Sequence, residues 1–298
     1  MRFNKWCLHW LEVYKKRFVK ASTYESYIFA CSHITCRKKL DKLKLSDMQK
    51  VINKMVDKGL ARSTIKHTLT IMVQASRRAV ALGYCSPLDY KLLELPTDNL
   101  HKVRALSLSD QLLILRNMHN SFYGDFFGFL LFSGLRVGEL IALRWSDIDW
   151  KNSVIRISRT DYRGREQPTK TANSQRDIPI SAELKTLLNR NLQVGSGYVF
   201  RNTLGGKVNY RSLLQAWHRF AENIGIQPCG LHVLRHTYAT NALRAGVNIK
   251  VLSELLGHKS ITVTLNIYTD VGADDKAQAA SQISSYMEKG RKNERDYA

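Results

Sequence analysis

Apolar residues recur at helical spacing through the first 94 residues of the chain, which predicts a small helical domain. The first apolar stripe consists of Phe3, Trp6, Cys7, Trp10, Leu11 and Tyr14. Hydroxyl side chains that can cap a first turn predict where three more helices begin, namely Ser22 or Thr23, Ser46 and Ser63. Four short amphipathic helices of this kind can pack as one bundle with their charged faces outward.

Residues 95–106 interrupt this pattern and are predicted to link two domains, because Pro96 is followed by polar and basic residues. A mixed domain is predicted over residues 107–290, beginning with a helix at Ser107 or Ser109, and residues 291–298 form a tail. Strands are predicted at 154–157, 167–170 and 177–180, with residues 161–164 as the hairpin turn between the first two. Later helices are predicted at 182–192, 210–224, 232–245, 249–256 and 274–288. The predicted fold class is mainly α with a small antiparallel sheet, an α+β arrangement.

Positive charge is concentrated in the helical domain. The chain of 298 residues has a formal net charge of +21, and an apolar fraction of 44% leaves enough for two packed cores. Residues 1–100 hold 19 Lys and Arg against 8 Asp and Glu, so a third of the chain carries about half of the net charge. This surplus favours a polyanionic partner, with nucleic acid preferred over a merely solvated basic face.

The cysteines and the hydropathy pattern predict a cytoplasmic protein without a membrane segment. The five cysteines are odd in number and form no Cys-x-x-Cys pair. Lys5, His9 and Glu12 interrupt the N-terminal apolar residues, so no secretory signal is recognisable. The longest apolar run, residues 126–132, is far shorter than the roughly 20 residues that span a bilayer.

Arg136 and Glu139 lie within the otherwise apolar segment 131–143, which the pattern predicts as helical. Two interpretations remain open. The pair can form a structural salt bridge, although hydrophobic replacements would often serve as well. Alternatively, Arg136 can bind a phosphate, because a guanidinium group matches two phosphate oxygens.

Residues 231–237 place two imidazoles and a guanidinium on one predicted helix. His232 and Arg235 are three residues apart and share a face. His232 and His236 are four apart, which is also a spacing of zinc ligands. No glutamate follows His232, and Arg235 would repel a cation, so no metal site is predicted.

A glycine-histidine turn precedes one of the 13 tyrosines. Gly257 can end a helix in the left-handed conformation and leave His258 at the turn. Tyr268 follows ten residues after His258 in an otherwise ordinary stretch. Only this position distinguishes Tyr268 from a core aromatic residue.

In this order, the three segments resemble the tyrosine recombinase family, also called lambda-type phage integrases. In the first segment, the residues that match the family's pattern are Gly134, Leu135, Arg136 and Glu139. In the second segment they are His232, Arg235 and His236. In the last segment they are Leu256, Gly257, His258 and Tyr268. Residues 169–171, ahead of 176–179, resemble the segment with the family's hairpin lysine, here Lys170. The resemblance covers essentially the whole chain. It implies a helical core-DNA-binding domain over residues 1–94 and a catalytic domain over residues 107–290.

The resemblance also implies a role for each site residue. Tyr268 would attack a phosphodiester and form a 3′-phosphotyrosine link, although a phenol with a pKa near 10 is only about 0.1% ionised at pH 7. Arg136, Arg235 and His258 would bind the non-bridging oxygens.

The remaining roles concern protons and support. Lys170 would protonate the departing 5′ hydroxyl. His232 would accept the tyrosine proton or position the phosphate, and Glu139 and His236 would support these groups. Cations near the same hairpin that could replace Lys170 are Lys151, Arg159, Arg163 and Arg165. Neither a metal nor another cofactor is expected, because the protein–DNA link keeps the phosphodiester energy.

The expected partners are double-stranded DNA recombination sites and three further copies of the chain, in a tetramer formed on DNA by a protein that is monomeric in solution. A directionality factor is a possible further partner. The predicted helix 274–288 is expected to dock on a neighbouring protomer, and folding back on its own domain is the alternative.

The segment 258–268 is most similar to integrases of mobile elements. Xer-like dimer resolution, a type IB topoisomerase and a catalytically silent DNA-binding protein remain alternatives. The core-binding domain starts almost at Met1, so an arm-binding domain is either absent or truncated.

Overall fold

The chain forms two compact units, Met1–His101 and Lys102–Ala298, in a computed structural model. The structure describes residues 1–97, 105–168, 175–192, 197–227 and 229–265, together with residues 281 and 284. Each unit has its own hydrophobic core. The boundary between the units falls within residues 95–106. The predicted helix 274–288 lies outside the described residues, apart from residues 281 and 284.

Four α-helices enclose the core of the first unit. They are α1 (Phe3–Tyr14), α2 (Ala21–Ser32), α3 (Leu45–Asp57) and α4 (Arg62–Ala81). The indole of Trp6 on α1 donates a hydrogen bond of 2.8 Å to the carbonyl of Ala75 on α4. Cys7, Cys31 and Cys36 are free thiols buried in this core, and burial raises the pKa of each. These thiols therefore serve as packing groups.

Helices α2, α3 and α4 begin before the predicted hydroxyl caps, so those cap predictions are wrong. The residues in front of them are Lys20, Lys44 and Ala61. In α3 the backbone N–H of Lys44 donates to the carboxylate of Asp47 at 3.1 Å, which satisfies one of the free donors of the first turn. A sequence shows which residues are able to cap a helix, but not where the chain leaves the extended conformation.

Eight α-helices are described in the second unit. They are α5 (Leu108–Asn117), α6 (Gly124–Ser133), α7 (Val137–Ile141), α8 (Ala182–Asn191), α9 (Tyr210–Asn223), α10 (His232–Arg244), α11 (Ile249–Leu256) and α12 (Ile261–Leu265). Ser107 caps α5 as predicted, with its hydroxyl accepting from the Asp110 N–H at 3.1 Å. Between Asp125 and Ser133 near its two ends, helix α6 is apolar on all sides, and its Phe127 packs edge-on against Trp217 of α9. Such a helix is stable only when other elements cover it on every side.

Five short strands form two separate antiparallel pieces. They are β1 (Ile148–Asp149), β2 (Val154–Ile157), β3 (Arg159–Tyr162), β4 (Arg165–Pro168) and β5 (Arg176–Pro179). One sheet has the order β1-β2-β5, and β3 pairs with β4 alone. The predicted hairpin partner was wrong, because β4 pairs with β3 and not with β2. Arg163 and Gly164 form its two-residue turn with φ of 50° and 83°, which is typical of a tight hairpin.

Lys207 fixes the turn of this hairpin. Its ammonium group donates to the carboxylate of Asp161 at 2.6 Å and to the carbonyl of Gly164 at 2.7 Å. Asp161 is only 3% exposed, so the ion pair is shielded from solvent on the carboxylate side. The hairpin thus has a defined position immediately ahead of the segment that contains Lys170.

The mainly helical architecture with small antiparallel sheets confirms the predicted fold class. Among the described residues, no helix combines the length and apolarity needed to cross a bilayer.

Candidate active site

Arg136 lies between two helices, and not inside one as the apolar pattern predicts. Gly134 ends α6 in the left-handed conformation with φ of 63°, and Arg136 is extended in front of α7. A Cβ atom on Gly134 would lie 2.3 Å from the ring of Tyr238, so only glycine fits there without displacing that ring. The break directs the Arg136 side chain out of the core and leaves it 37% exposed.

Glu139 joins two arginines through a buried carboxylate that is 2% exposed. Its Oε1 accepts from Arg136 Nη1 at 2.7 Å and from Arg176 Nη1 at 3.1 Å. Its Oε2 accepts from the Arg136 backbone N–H and from Arg176 Nη2, both at 2.9 Å. Burial alone would raise the pKa of Glu139, but the hydrogen bond and charge of Arg176, with the charge of Arg136, hold it below its ordinary value. The carboxylate therefore stays ionised and orients Arg136.

The salt bridge between Arg136 and Glu139 does not exclude phosphate binding. Glu139 uses only one terminal nitrogen of the Arg136 side chain, and 37% of that side chain is exposed to solvent. Both interpretations of this pair are therefore compatible with the structure, since the salt bridge sets the direction in which Arg136 can meet an anion.

Arg235 projects from α10 and is 4% exposed. Its Nη1 donates to the carbonyl of Gly134 and its Nη2 to the carbonyl of Leu256, both at 2.7 Å. Burial, reinforced by the charge of Arg136, lowers the pKa of Arg235 to about 9. That value is still above neutral pH, so the group remains a cation at pH 7 and is held rigidly by neutral acceptors.

Three arginines converge on the C-terminal end of α11. The carbonyls of Leu255, Leu256 and Gly257 accept hydrogen bonds from Arg176 Nε at 2.6 Å, Arg235 Nη2 at 2.7 Å and Arg136 Nη2 at 2.8 Å, respectively. Carbonyls at the end of a helix lack partners within the helix and carry partial negative charge. The end of α11 therefore gathers three cations from distant parts of the chain without using an acidic residue.

His258 follows α11 at the predicted turn. Gly257 is in the left-handed conformation with φ of 64°, and the His258 N–H donates to the carbonyl of Ser253 at 3.0 Å. The imidazole Nδ1 lies 2.8 Å from the hydroxyl of Thr264 on α12. Desolvation, followed by the charges of Arg235 and Arg136, lowers the pKa of His258 to about 4. The ring is therefore neutral at pH 7.

His232 is the first residue of α10 and is exposed at the surface. Partial desolvation of its imidazole, together with the charges of Arg235 and Arg136, lowers its pKa. His236 lies one turn further on the same helix and contributes to this lowering. His232 is thus neutral at pH 7 and able to accept a proton. No group of three metal-binding side chains occurs among the described residues.

Lys170 and Tyr268 lie outside the described residues. Of the alternative cations at the hairpin, Arg159 pairs with Asp147 at 3.0 Å. The sequence analysis also did not single out Lys207, which holds the hairpin turn.

Arg176 contacts Glu139 and Thr264 contacts His258, and neither residue was predicted from the sequence as part of the candidate site. Arg176 opens β5 one residue ahead of the predicted strand 177–180, and Thr264 lies on α12, where no helix was predicted. A buried arginine side chain, 6% exposed, has no periodic signal of its own. The one available clue was the position of Arg176 in the segment that resembles the family's lysine region.

Comparison with known proteins identifies the family. The model of the phage integrase family matches residues 105–274. A "Tyrosine recombinase XerC-like" protein of Caldanaerobacter subterraneus subsp. tengcongensis is 30% identical over 283 residues, which cover 83% of this chain and 72% of the relative. The integrase of Staphylococcus phage L54a is 29% identical over 159 residues, which cover 47% of this chain and 45% of that integrase.

A solved structure shows the same fold. The Tn1549 transposon integrase, in complex with transposon right end DNA, superimposes with a TM-score of 0.83 at 21% identity, covering 95% of this chain and 100% of that one. The chain therefore belongs to the phage integrase family. It is a tyrosine-type site-specific recombinase, as the sequence resemblance predicted.

Proposed function

We propose that this protein cleaves and rejoins DNA at specific sites through a 3′-phosphotyrosine intermediate, and that it integrates or excises a phage or another mobile element. The observation that carries the proposal is the convergence of Arg136, Arg235 and His258 at the end of α11. Tyr268, the proposed nucleophile, follows ten residues later in the sequence.

The arginines supply an anion site that is organised before DNA arrives. Glu139 and the Gly257 carbonyl hold Arg136, and two carbonyls hold Arg235, so little reorganisation accompanies phosphate binding. His258 adds a neutral donor to the same oxygens. Fixed donors of this kind stabilise the charge that develops on the phosphorus, and loss of one costs on the order of 10²–10³ in rate.

The chemical step balances without an external reactant. The Tyr268 oxygen bonds to phosphorus as the bond to the 5′ oxygen breaks. The phenol proton passes to His232, whose lowered pKa leaves it free to accept a proton at neutral pH. Lys170 gives a proton to the departing 5′ oxygen. Attack by the 5′ hydroxyl of a partner strand reverses these steps and releases Tyr268.

We infer double-stranded DNA as the partner, on the charge of +21 and the DNA-bound state of the transposon integrase. Exchange between two duplexes uses four active sites, so the proposed assembly is a homotetramer on DNA formed from monomers. A directionality factor would bias the reaction towards integration or excision. Under this proposal, residues 1–94 bind the core site and residues 107–290 perform catalysis.

Chromosome-dimer resolution is the second candidate, since the XerC-like relative matches most of this chain. The phage and transposon integrases favour the mobile-element role. Substrate choice separates the two roles. An integrase joins a site beside its own gene to a different chromosomal site, whereas a resolvase recombines two identical chromosomal sites.

The first test looks for a covalent protein–DNA link. Wild-type protein and Tyr268→Phe are incubated in EDTA with DNA flanking the gene, nicked to trap the intermediate, and then denatured in SDS. We expect an adduct with the wild type and none with Tyr268→Phe, because only a phenol oxygen at this position can form the phosphotyrosine bond.

The controls separate binding from chemistry. Tyr268→Phe should retain the wild-type DNA affinity, as measured by gel shift, because it lacks only the hydroxyl group. Binding by the wild type without any adduct, even on the nicked substrate, would instead identify a catalytically silent DNA-binding protein.

A further inference from the structure

We propose that Thr264 is a positioning residue that holds the imidazole of His258 in the tautomer with its proton on Nε2, so that this nitrogen donates to the scissile phosphate. The tautomer is a property of the free protein. Its use in catalysis rests on the function proposed above.

The contact is short, and its threonine side is fully buried. Thr264 is on α12, four residues ahead of Tyr268, and its exposure to solvent is 0%. Its hydroxyl oxygen lies 2.8 Å from His258 Nδ1. The backbone of His258 is fixed independently, because its N–H donates to the Ser253 carbonyl. The Thr264 hydroxyl therefore sets the hydrogen bonding of His258 Nδ1, while the Ser253 carbonyl holds the backbone of His258.

The hydroxyl proton decides which nitrogen is protonated. A threonine hydroxyl has one proton to donate, and solvent cannot accept it at this buried position. Within the described part of the chain, His258 Nδ1 is the hydrogen-bond partner of this hydroxyl. If Nδ1 were the donor, the hydroxyl proton would be left buried without an acceptor, which is costly. Nδ1 therefore accepts, and the ring proton belongs on Nε2.

The choice between the two tautomers matters because the surrounding positive charges keep the His258 ring neutral. Burial and the charges of Arg235, Arg136 and Arg176 lower the pKa of His258 to about 4, so the ring carries a single N–H at neutral pH. Phosphate oxygens accept hydrogen bonds and do not donate them. A neutral imidazole with its proton on Nδ1 would present a lone pair to the phosphate, which repels its oxygens. Only the Nε2–H tautomer stabilises the developing negative charge.

The first measurement is the tautomer itself. Full-length protein labelled with ¹⁵N-histidine is studied by NMR at neutral pH, and the His258 signals are assigned by their loss in His258→Gln. We expect the wild type and Thr264→Ser to show a protonated Nε2 and an unprotonated Nδ1. Thr264→Val, which keeps the shape but removes the hydroxyl, should shift the ring towards a mixture of the two tautomers. A wild-type ring protonated on Nδ1 would overturn the proposal, whatever the variants do.

The second measurement connects the tautomer to catalysis. Single-turnover adduct formation on the nicked substrate should be slower in Thr264→Val by at least about 10-fold, up to the 10²–10³-fold loss expected for a missing donor. Thr264→Ser should stay within about twofold of the wild type, since a serine hydroxyl can donate the same bond. Thr264 would have only a packing role if Thr264→Val lost activity with an unchanged tautomer. Without a wild-type adduct, the proposed function fails, but the tautomer assignment still stands on the NMR result.

Discussion

At the scale of single residues, the site depends on one carboxylate surrounded by cations. Glu139 bonds to both Arg136 and Arg176, and it is almost completely buried. Its removal would take a carboxylate charge away from the buried guanidinium of Arg176. Removal of one partner from such a pair typically costs about 3–5 kcal/mol.

Glu139→Gln should therefore lower the free energy of unfolding by about 3–5 kcal/mol at pH 7, as measured by chemical denaturation. The folded-state pKa of Glu139 is depressed, so its contribution is present above the unfolded pKa of roughly 4.3 and disappears as pH falls through the lower folded value. The difference in free energy of unfolding between wild type and variant should thus shrink on acidification below about pH 4. Glu254→Gln, at an exposed position on α11, is the matched control and should change stability by no more than about 0.5 kcal/mol. If this difference in free energy of unfolding stays constant with pH, the ionised form of Glu139 does not stabilise the fold.

Sequence reasoning placed four of the site residues near one another but missed what holds them. Arg136, Arg235, His232 and His258 were recognisable because their residue types and order resemble a family pattern. Backbone carbonyls accept hydrogen bonds from both arginines, that of Gly257 from Arg136 and that of Gly134 from Arg235. Every residue has a carbonyl, so the sequence contains no signal for the one that serves as a partner.

At the scale of elements, the break between α6 and α7 has a second requirement besides the left-handed glycine. Gly138 on α7 packs so closely against β3 that an added Cβ atom would lie 2.5 Å from the carbonyl oxygen of Asp161 and 2.7 Å from the hydroxyl of Thr160. Helix α7 begins next to Arg136, so this contact joins the arginine to the hairpin.

Gly138→Ala should destabilise the protein by about 1–3 kcal/mol, because the overlap involves backbone that cannot move aside freely. This outweighs the roughly 0.5–1 kcal/mol that alanine gains over glycine within a helix. The shift in melting temperature on thermal unfolding reports the net of these two effects on stability. Gly230→Ala is the control, since an added Cβ atom there meets nothing within 4 Å. Equal melting temperatures for the two variants would contradict the tight contact.

The type of a secondary-structure element could be predicted where apolar residues recur at a regular spacing, but the pairing of strands could not. Helix α11 begins and ends at the predicted residues, because Asn248 caps its start and Gly257 ends it. The pairing of β3 with β4 was missed, since all four residues of β3 are only partly buried and show no alternation. Its position is set by tertiary contacts such as the one to Lys207, and a local pattern does not encode such contacts.

At the scale of the whole molecule, positive charge on the first unit is available for a polyanion. Arg37, Lys38, Lys39, Lys42 and Lys44 are exposed within eight residues. Phosphate contacts release counterions from DNA, so binding through such residues weakens with salt in proportion to the number of phosphates that the protein neutralises.

The double variant Lys42→Gln and Lys44→Gln should reduce the slope of log affinity against log salt by about 0.9 for each phosphate that is no longer neutralised. Fluorescence anisotropy with the recombination-site DNA at several salt concentrations measures this slope. Lys185→Gln, exposed on α8 of the other unit, is the control and should leave the slope unchanged. The assignment of this basic segment to DNA binding fails if the double variant keeps the wild-type slope.

The arginine cluster at the end of α11 has a consequence for biosynthesis. A chain extended only as far as Arg235 already contains all three guanidinium groups, but the carbonyls that fix them belong to residues 255–257. Arg136 and its acceptor on Gly257 are separated by 121 positions along the chain. These hydrogen bonds can therefore form only after residues 255–257 have been synthesised. Chains that terminate before Leu255 contain all three arginines, yet lack the carbonyls that hold these side chains in place.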